Sequence, residues 1–183
     1  MKVRNVSSLN SVFGVPYIQS GKDFKASAKW EEENLVQLDL PFPMRLAWDT
    51  DVTVTKIRVH KLLAPRFNKA LTAVWTKARY LCKQKFGLKE TTEFYDKHAL
   101  ELLQSLNLDL FGGTYNFREM RGSNYISMHG YGIAIDIDPT HNPFKSKKTS
   151  LPGWYIACWT GAGFDWGGNW KKKDPMHFEC KSP

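Results

Sequence analysis

Two short segments near the C-terminal end of the sequence carry histidine and aspartate at spacings that suit metal binding. His129 and Asp136 lie in Ser-Met-His-Gly-Tyr-Gly-Ile-Ala-Ile-Asp, and His177 ends Asp-Pro-Met-His. A neutral imidazole and a carboxylate are ordinary zinc ligands, and a catalytic zinc needs three protein ligands and one position for water. We therefore predict that His129, Asp136 and His177 hold one Zn²⁺ ion.

The residues around Asp136 alternate between apolar and polar types, which predicts a short strand. Ile133, Ile135 and Ile137 would face the core, while Asp136 would lie on the opposite face. In one unbroken strand, the odd spacing of seven residues would put His129 on the wrong face. Glycines at 130 and 132 allow the backbone to turn between the two residues, so that both side chains can converge.

The second segment supplies a candidate base as well as a ligand. Asp174 precedes His177 by three residues across a proline turn and can approach a metal-activated water without binding the metal. If residues 176–180 form a strand, Glu179 shares a face with His177. Glu179 would then either orient the imidazole by a hydrogen bond or be a surface carboxylate.

The elements that must position these residues predict an α+β fold. Apolar residues recur at helical spacing over residues 65–85 and again over 92–106, and short strand-like runs follow Gly112-Gly113. We expect one domain over residues 1–183, with helices packed on a small, mainly antiparallel sheet that carries the zinc site. Residues 1–50 are predicted to be a peripheral extension and residues 51–183 the catalytic core.

Charge and cysteine content narrow the class of protein only in part. The formal net charge of +8 favours a polyanionic partner, such as a bacterial envelope or nucleic acid. Alternatively, the charge belongs to a solvated lysine-rich surface that has no such partner. A nucleic-acid-binding motif is not recognisable. Three cysteines without repeated spacing argue against a disulfide framework. The N-terminus does not have the apolar core of a signal peptide, and no segment has the composition of a membrane span.

The combined pattern S-x-H-x-x-G-x-A-x-D followed by D-x-x-H resembles a known family. This family comprises the VanY-type zinc D-alanyl-D-alanine carboxypeptidases and the related phage endolysins that act as L-alanyl-D-glutamate peptidases. The resemblance extends from about Tyr115 to Cys180 and includes the Tyr-Asn-Phe-Arg run at 115–118. The Phe-Asp-Trp-Gly-Gly-Asn-Trp run at 164–170 is most similar to the endolysin branch.

The resemblance implies roles for further residues. Asp174 would be the catalytic base, and an arginine would stabilise the oxyanion or a substrate carboxylate. Arg118 fits this role best, and Arg121 is the alternative. Ser127 would bind the substrate or support the site loop, where it could instead cap the turn before His129. Independently of the resemblance, Trp154, Trp159, Trp166 and Trp170 could line a peptide groove or pack in the core, and Trp166 is the one we expect to bind the substrate.

The function implied by the resemblance is zinc-dependent hydrolysis of the L-Ala–D-Glu bond in peptidoglycan stem peptides. One alternative is a D-alanyl-D-alanine carboxypeptidase on the same site, and another is a catalytically inactive module that binds the cell wall. We expect a monomer without membrane insertion or nucleic-acid partner. It would be made in the cytoplasm without a signal peptide, in a host cytoplasm if phage-encoded, and would act at the cell wall.

Overall fold

The computed structural model of the protein describes residues 7–20, 23–120 and 125–183. Its helices and strands follow one another along the chain in this order: α1 (Ser7–Phe13), β1 (Tyr17–Ser20), β2 (Asp23–Ala26), α2 (Ala28–Asn34), β3 (Leu35–Leu46), β4 (Asp49–His60), α3 (Ala64–Phe86), α4 (Thr92–Ser105), β5 (Leu110–Gly113), β6 (Ala134–Ile137), α5 (Gly153–Gly161), β7 (Asp165–Trp166) and β8 (His177–Glu179). No helix among these described segments is long and apolar enough to span a membrane.

Within the described residues, the main sheet has six strands in the order β4-β3-β5-β6-β8-β7. Neighbouring strands are antiparallel except for β3 and β5, which pair in parallel through Arg45 with Leu110 and Leu46 with Phe111. The predicted single-domain α+β fold is confirmed. The sheet is larger than predicted, and its one parallel pair makes it mixed.

Strand β3 corrects our prediction that residues 1–50 are peripheral, because it lies inside the sheet between β4 and β5. This strand is not apparent from the sequence because Pro41 and Pro43 interrupt it, and proline cannot donate a hydrogen bond to a neighbouring strand. The pairing of β3 with β4 shifts register between Asp39 and Met44, so both prolines fall at the irregularity. The boundary expected at residue 50 therefore separates two strands that pair with each other.

The two predicted helices form as α3 and α4; α3 packs on β3 of the sheet, and α4 packs on α3. Their buried residues repeat at helical spacing, and those of α3 include Phe67, Leu71, Val74 and Ala78. Thr91 caps α4, since its hydroxyl accepts a hydrogen bond from the Phe94 amide at 3.2 Å. This helical layer covers one face of the sheet and leaves the opposite face available to polar side chains.

His60 connects the end of β4 to two distant parts of the fold. Its backbone N–H donates to the carbonyl of Gly132 at 2.8 Å, next to the turn that carries His129. Its ring is 1% exposed. Nδ1 accepts a hydrogen bond from the Leu62 amide, so Nε2 carries the proton and donates to the Phe13 carbonyl. Burial lowers the pKa of His60 against the opposing effect of that carbonyl.

Acidification is therefore expected to destabilise the protein through His60. Between its lowered folded-state pKa and the ordinary value of about 6.5, the unfolded chain binds more protons than the folded one. The free energy of unfolding then falls as the pH drops below about 6.5, by up to about 1.4 kcal/mol per pH unit. Urea denaturation of metal-free protein at several pH values measures this. His60→Gln should show a shallower pH dependence, and parallel curves for the two proteins would contradict the prediction.

Candidate metal centre

Asp136 and His177 face each other across two paired strands. Strand β6 pairs with β8 so that Asp136 lies directly opposite His177. The neighbouring Ile135 and Ile137 are completely buried on the core side, which directs the Asp136 side chain to the other face, as the alternation predicted. One carboxylate oxygen of Asp136 lies 2.8 Å from Nδ1 of His177.

His129 joins this pair from a short 3-10 turn, Met128–Tyr131. Ser127 caps the turn, since its hydroxyl accepts a hydrogen bond from the His129 amide at 3.3 Å. Gly132 ends the turn with a φ of 67°, and a Cβ there would lie 2.8 Å from the Leu35 side chain. Both the left-handed conformation and the close packing favour glycine. The glycine-containing segment thus returns the chain to β6 with His129 beside Asp136.

The spacing of the three side chains suits a zinc ion. Nε2 of His129 lies 3.2 Å from Nδ1 of His177 and 3.3 Å from an oxygen of Asp136. The third distance, from His177 to Asp136, is 2.8 Å. Zinc bonds of about 2.0–2.1 Å in tetrahedral geometry separate neighbouring ligand atoms by about 3.3 Å. The candidate ligand atoms, which all lie within 4.8 Å of one another, therefore fit a metal of this size.

In each imidazole, the nitrogen that faces away from the cluster makes a hydrogen bond, which leaves the nitrogen that faces the cluster for a metal. Nδ1–H of His129 donates to the Thr114 carbonyl at 2.7 Å. Nε2–H of His177 donates to a carboxylate oxygen of Glu179 at 3.1 Å, and the other oxygen of Glu179 pairs with Lys181. Such contacts fix the tautomer and orientation of metal-binding histidines. Glu179 is 4% exposed, so of its two predicted roles the structure supports the orienting one.

The electrostatics of the cluster favour a positive charge at its centre. Burial disfavours the imidazolium of His177, but its hydrogen bonds to Asp136 and Glu179 outweigh burial and raise its pKa to about 9. Burial likewise opposes ionisation of Asp136, yet hydrogen bonds to His129 and His177 hold the Asp136 pKa below its ordinary value. A metal cation at this position would replace the proton on His177. The donor set therefore fits a metal in charge as well as in spacing.

Glu179→Gln is expected to weaken metal binding by about 10–100-fold, the usual effect of removing an orienting partner of a histidine ligand. The change removes the negative charge that makes His177 a stronger base. A competition titration with a chromophoric chelator measures the affinity. Glu101→Gln is the matched control, because Glu101 contacts His98 at 2.8 Å in an exposed His–carboxylate pair on α4. Equal affinities for the two variants would contradict the orienting role.

The three side chains open into a cavity of about 340 Å³. Asp174 lines the same cavity, and its backbone carbonyl accepts a hydrogen bond from the His177 amide at 3.0 Å. Its own amide donates to the Gly167 carbonyl. A Cβ on Gly167 would collide with the Asp174 backbone, so only glycine allows this close approach. The turn before β8 thus brings the predicted base and the predicted ligand to one site.

Of the four remaining predicted residues, two line this cavity. Arg118 and Ser127 line the cavity, Ser127 also capping the turn before His129. Arg121, the alternative arginine, lies outside the described residues. Trp166, which we expected to bind the substrate, does not line this cavity. Its indole N–H donates to the Pro175 carbonyl at 2.8 Å. Trp170 lines it instead, with its ring 5.4 Å from that of His177.

A second cavity of about 200 Å³ meets the first at Arg118, His129 and Asp136. Its remaining lining comes from the turn between β3 and β4 and from β5 and the residues after it. The first cavity is instead lined by β8 and the turn before it, together with Met120, Ser127, Met128 and Phe144. Because β6 lies between β5 and β8, the two cavities extend to opposite sides of Asp136.

The fold and this cluster define an α+β protein with a candidate metal centre on the open face of a mixed sheet. Residues 121–180 match the family model described as D-alanyl-D-alanine carboxypeptidase, over less than half of the chain. The match confirms the resemblance to the VanY-type family, and it supports a metallopeptidase that acts on peptidoglycan in general terms. No curated protein and no solved structure gave a significant match.

Proposed function

We propose that this protein is a zinc-dependent peptidase that hydrolyses the L-Ala–D-Glu bond of peptidoglycan stem peptides, and that it acts at the cell wall as a monomer. The observation that carries the proposal is the His–Asp–His cluster, whose spacing fits zinc and which opens into a cavity shared with Asp174. The family match supports the coarser class of peptidoglycan-acting metallopeptidase.

The metal would be held by His129 through Nε2, by Asp136 through its carboxylate and by His177 through Nδ1. A zinc ion bound in this way supplies Lewis acidity, which lowers the pKa of water to about 7 and polarises a carbonyl. Thr114 and Glu179 keep the two imidazoles in the orientation that this requires.

Asp174 would act as the general base and then as the general acid. Its carboxylate takes a proton from water as the water oxygen adds to the scissile carbonyl carbon. It returns that proton to the departing amine nitrogen as the C–N bond breaks, so the products are a carboxylate and an amine. Arg118, at the junction of both cavities, carries a fixed positive charge that would stabilise the oxyanion or hold a carboxylate of the stem peptide.

The two cavities favour cleavage of an internal bond. An endopeptidase needs room for the substrate chain on both sides of the scissile bond, whereas removal of a single terminal residue needs little room on one side. The cavities of about 340 and 200 Å³ extend to opposite sides of Asp136, which provides such room. We therefore prefer the L-Ala–D-Glu endopeptidase to the D-alanyl-D-alanine carboxypeptidase.

The carboxypeptidase remains the second candidate, because the matching family model carries that description. Mass spectrometry of digested muropeptides separates the two activities. The proposed endopeptidase should produce new N-termini at D-Glu, and a carboxypeptidase should release only D-Ala.

Chelation tests the metal dependence in the same digestion. Cleavage should stop when the protein is treated with a chelator and should return when zinc is added, whereas chelator already saturated with zinc is the matched control. Metal-loaded protein that binds the wall but releases no amine would contradict the proposal and favour a wall-binding module.

A further inference from the structure

Trp48 is a large aromatic residue exposed beside the candidate metal centre. It lies in the turn between β3 and β4, it is 67% exposed, and it lines the second cavity. Tryptophan in a folded protein usually buries most of its surface, so an indole left in solvent at the mouth of a cavity indicates a binding surface. The residue precedes the segment that matches the family model.

The backbone holds this turn firmly in place. The Ala47 amide donates to the Phe111 carbonyl at 3.0 Å, and Leu46 pairs with Phe111 in the parallel β3–β5 ladder. Phe111 in turn pairs with Ile137 on β6, the strand that carries Asp136. The hydrogen bonds between three adjacent strands therefore fix the backbone position of Trp48 relative to the metal centre.

The second cavity differs from the first in chemistry. Apart from the residues that both cavities share, it is lined by Trp48, Gly112, Gly113, Tyr115 and Asn116, which carry no charge at neutral pH. A Cβ on Gly113 would meet no atom within 4 Å, so the absent side chain leaves open space in this lining. Flat aromatic surfaces beside amide groups suit a sugar, which offers apolar C–H faces to stack and hydroxyls to bond.

The direction of the substrate follows from the proposed mechanism. Asp174 lines only the first of the two cavities and must reach the departing amine, which belongs to the C-terminal part of the substrate. The N-terminal part then extends into the second cavity. In a stem peptide cut between L-Ala and D-Glu, that part is a single alanine joined to the lactyl group of the muramic sugar. One extended residue spans only about 3.5 Å, so the sugar comes close to the scissile bond.

We propose that Trp48 binds the glycan of peptidoglycan by stacking on the muramic sugar, so that the protein recognises a sugar-linked stem peptide rather than a free one. This inference rests on the proposed L-Ala–D-Glu cleavage. It adds a carbohydrate subsite to the peptide site and gives a role to the β3–β4 turn.

Two substrates with the same peptide test the inference, a disaccharide-linked tripeptide and the free tripeptide that begins at L-Ala. Trp48→Ala is expected to lower kcat/KM on the sugar-linked substrate by about tenfold through a higher KM. Its kcat/KM on the free peptide should stay within about twofold. Trp48→Tyr should recover most of the loss, because it restores an aromatic face. Tyr80→Ala is the matched control, since Tyr80 is an exposed aromatic residue on α3 that lines neither cavity.

A binding measurement separates failure of this inference from failure of the proposed function. Peptide-free disaccharide is titrated into Asp174→Asn protein, and the indole N–H signals are followed by NMR. A shift of the Trp48 signal and loss of binding in Asp174→Asn/Trp48→Ala support the inference even if neither peptide is cleaved. Cleavage of both substrates with equal losses in Trp48→Ala, or with none, overturns it and leaves the proposed peptidase intact. Disaccharide binding that is unchanged without Trp48 also overturns it.

Discussion

Asp174→Asn is expected to slow peptide hydrolysis by about 10²–10⁴-fold while leaving the metal bound. The amide has the size of the carboxylate but cannot take a proton from water, and general acid–base catalysis contributes about 10²–10⁴-fold to rates. The fold should tolerate the change, because the backbone contacts of Asp174 with His177 and Gly167 do not involve its side chain. Release of amines from purified cell wall measures the rate, and metal content measured on the same sample shows whether the three ligands are intact.

Asp51→Asn provides the matched control, because Asp51 is an exposed aspartate on β4 that lines neither cavity. It removes the same charge from the protein and should leave hydrolysis unchanged. Turnover by Asp174→Asn at the rate of the unmodified protein would rule out Asp174 as the base. Loss of metal together with activity would instead give Asp174 a structural role in holding the turn before His177.

The local part of the site was predictable from sequence because short-range rules determine it. Alternation along residues 133–138 put Asp136 on the open face, where the structure pairs it with His177 of strand β8. The turn at His129 was predictable because glycine can adopt a left-handed conformation that other residues avoid, as Gly132 does here. The shared face of His177 and Glu179 followed from the same two-residue period.

Long-range pairing could not be predicted in this way. Strand β3 joins β5 in parallel although the α3 and α4 helices separate them in sequence, and no local pattern encodes that contact. Pro41 and Pro43 also break its alternation, so the sequence of this strand carries no clear strand pattern. The position of Trp48 depends on this pairing. The sequence therefore indicated the metal ligands but not the second cavity or the aromatic residue that lines it.

Contacts made by the backbone were also invisible in the sequence. The Thr114 carbonyl orients His129, but a carbonyl is present in every residue and leaves no sign in the sequence. The different positions of Trp166 and Trp170 could also not be predicted, for a related reason. The two residues have the same side chain, and their roles differ because the carbonyl of Pro175 accepts a hydrogen bond from one of them.

His177→Ala is expected to remove metal binding and hydrolysis together. The side chain is a candidate ligand through Nδ1 and also connects Asp136 to Glu179, so its loss removes one ligand and leaves Glu179 with nothing to orient. The metal affinity should fall by more than the factor of about 100 that marks the loss of an orienting residue. Zinc-induced stabilisation gives a readout that is independent of activity. At 100 times the dissociation constant of the unmodified protein, zinc should stabilise that protein by about 2.7 kcal/mol and the variant by less than about 0.4 kcal/mol.

His98→Ala separates this effect from the general loss of a histidine. His98 contacts Glu101 on α4 through the same kind of imidazole–carboxylate bond, but it lines neither cavity at the metal centre. Each variant is compared with itself with and without zinc, because removal of a buried histidine also changes the stability of the metal-free fold. An equal zinc-induced shift for His177→Ala and His98→Ala would exclude His177 as a ligand. A shift lost only in His177→Ala would establish that β8 carries part of the metal centre, since His98 has the same chemistry in another place.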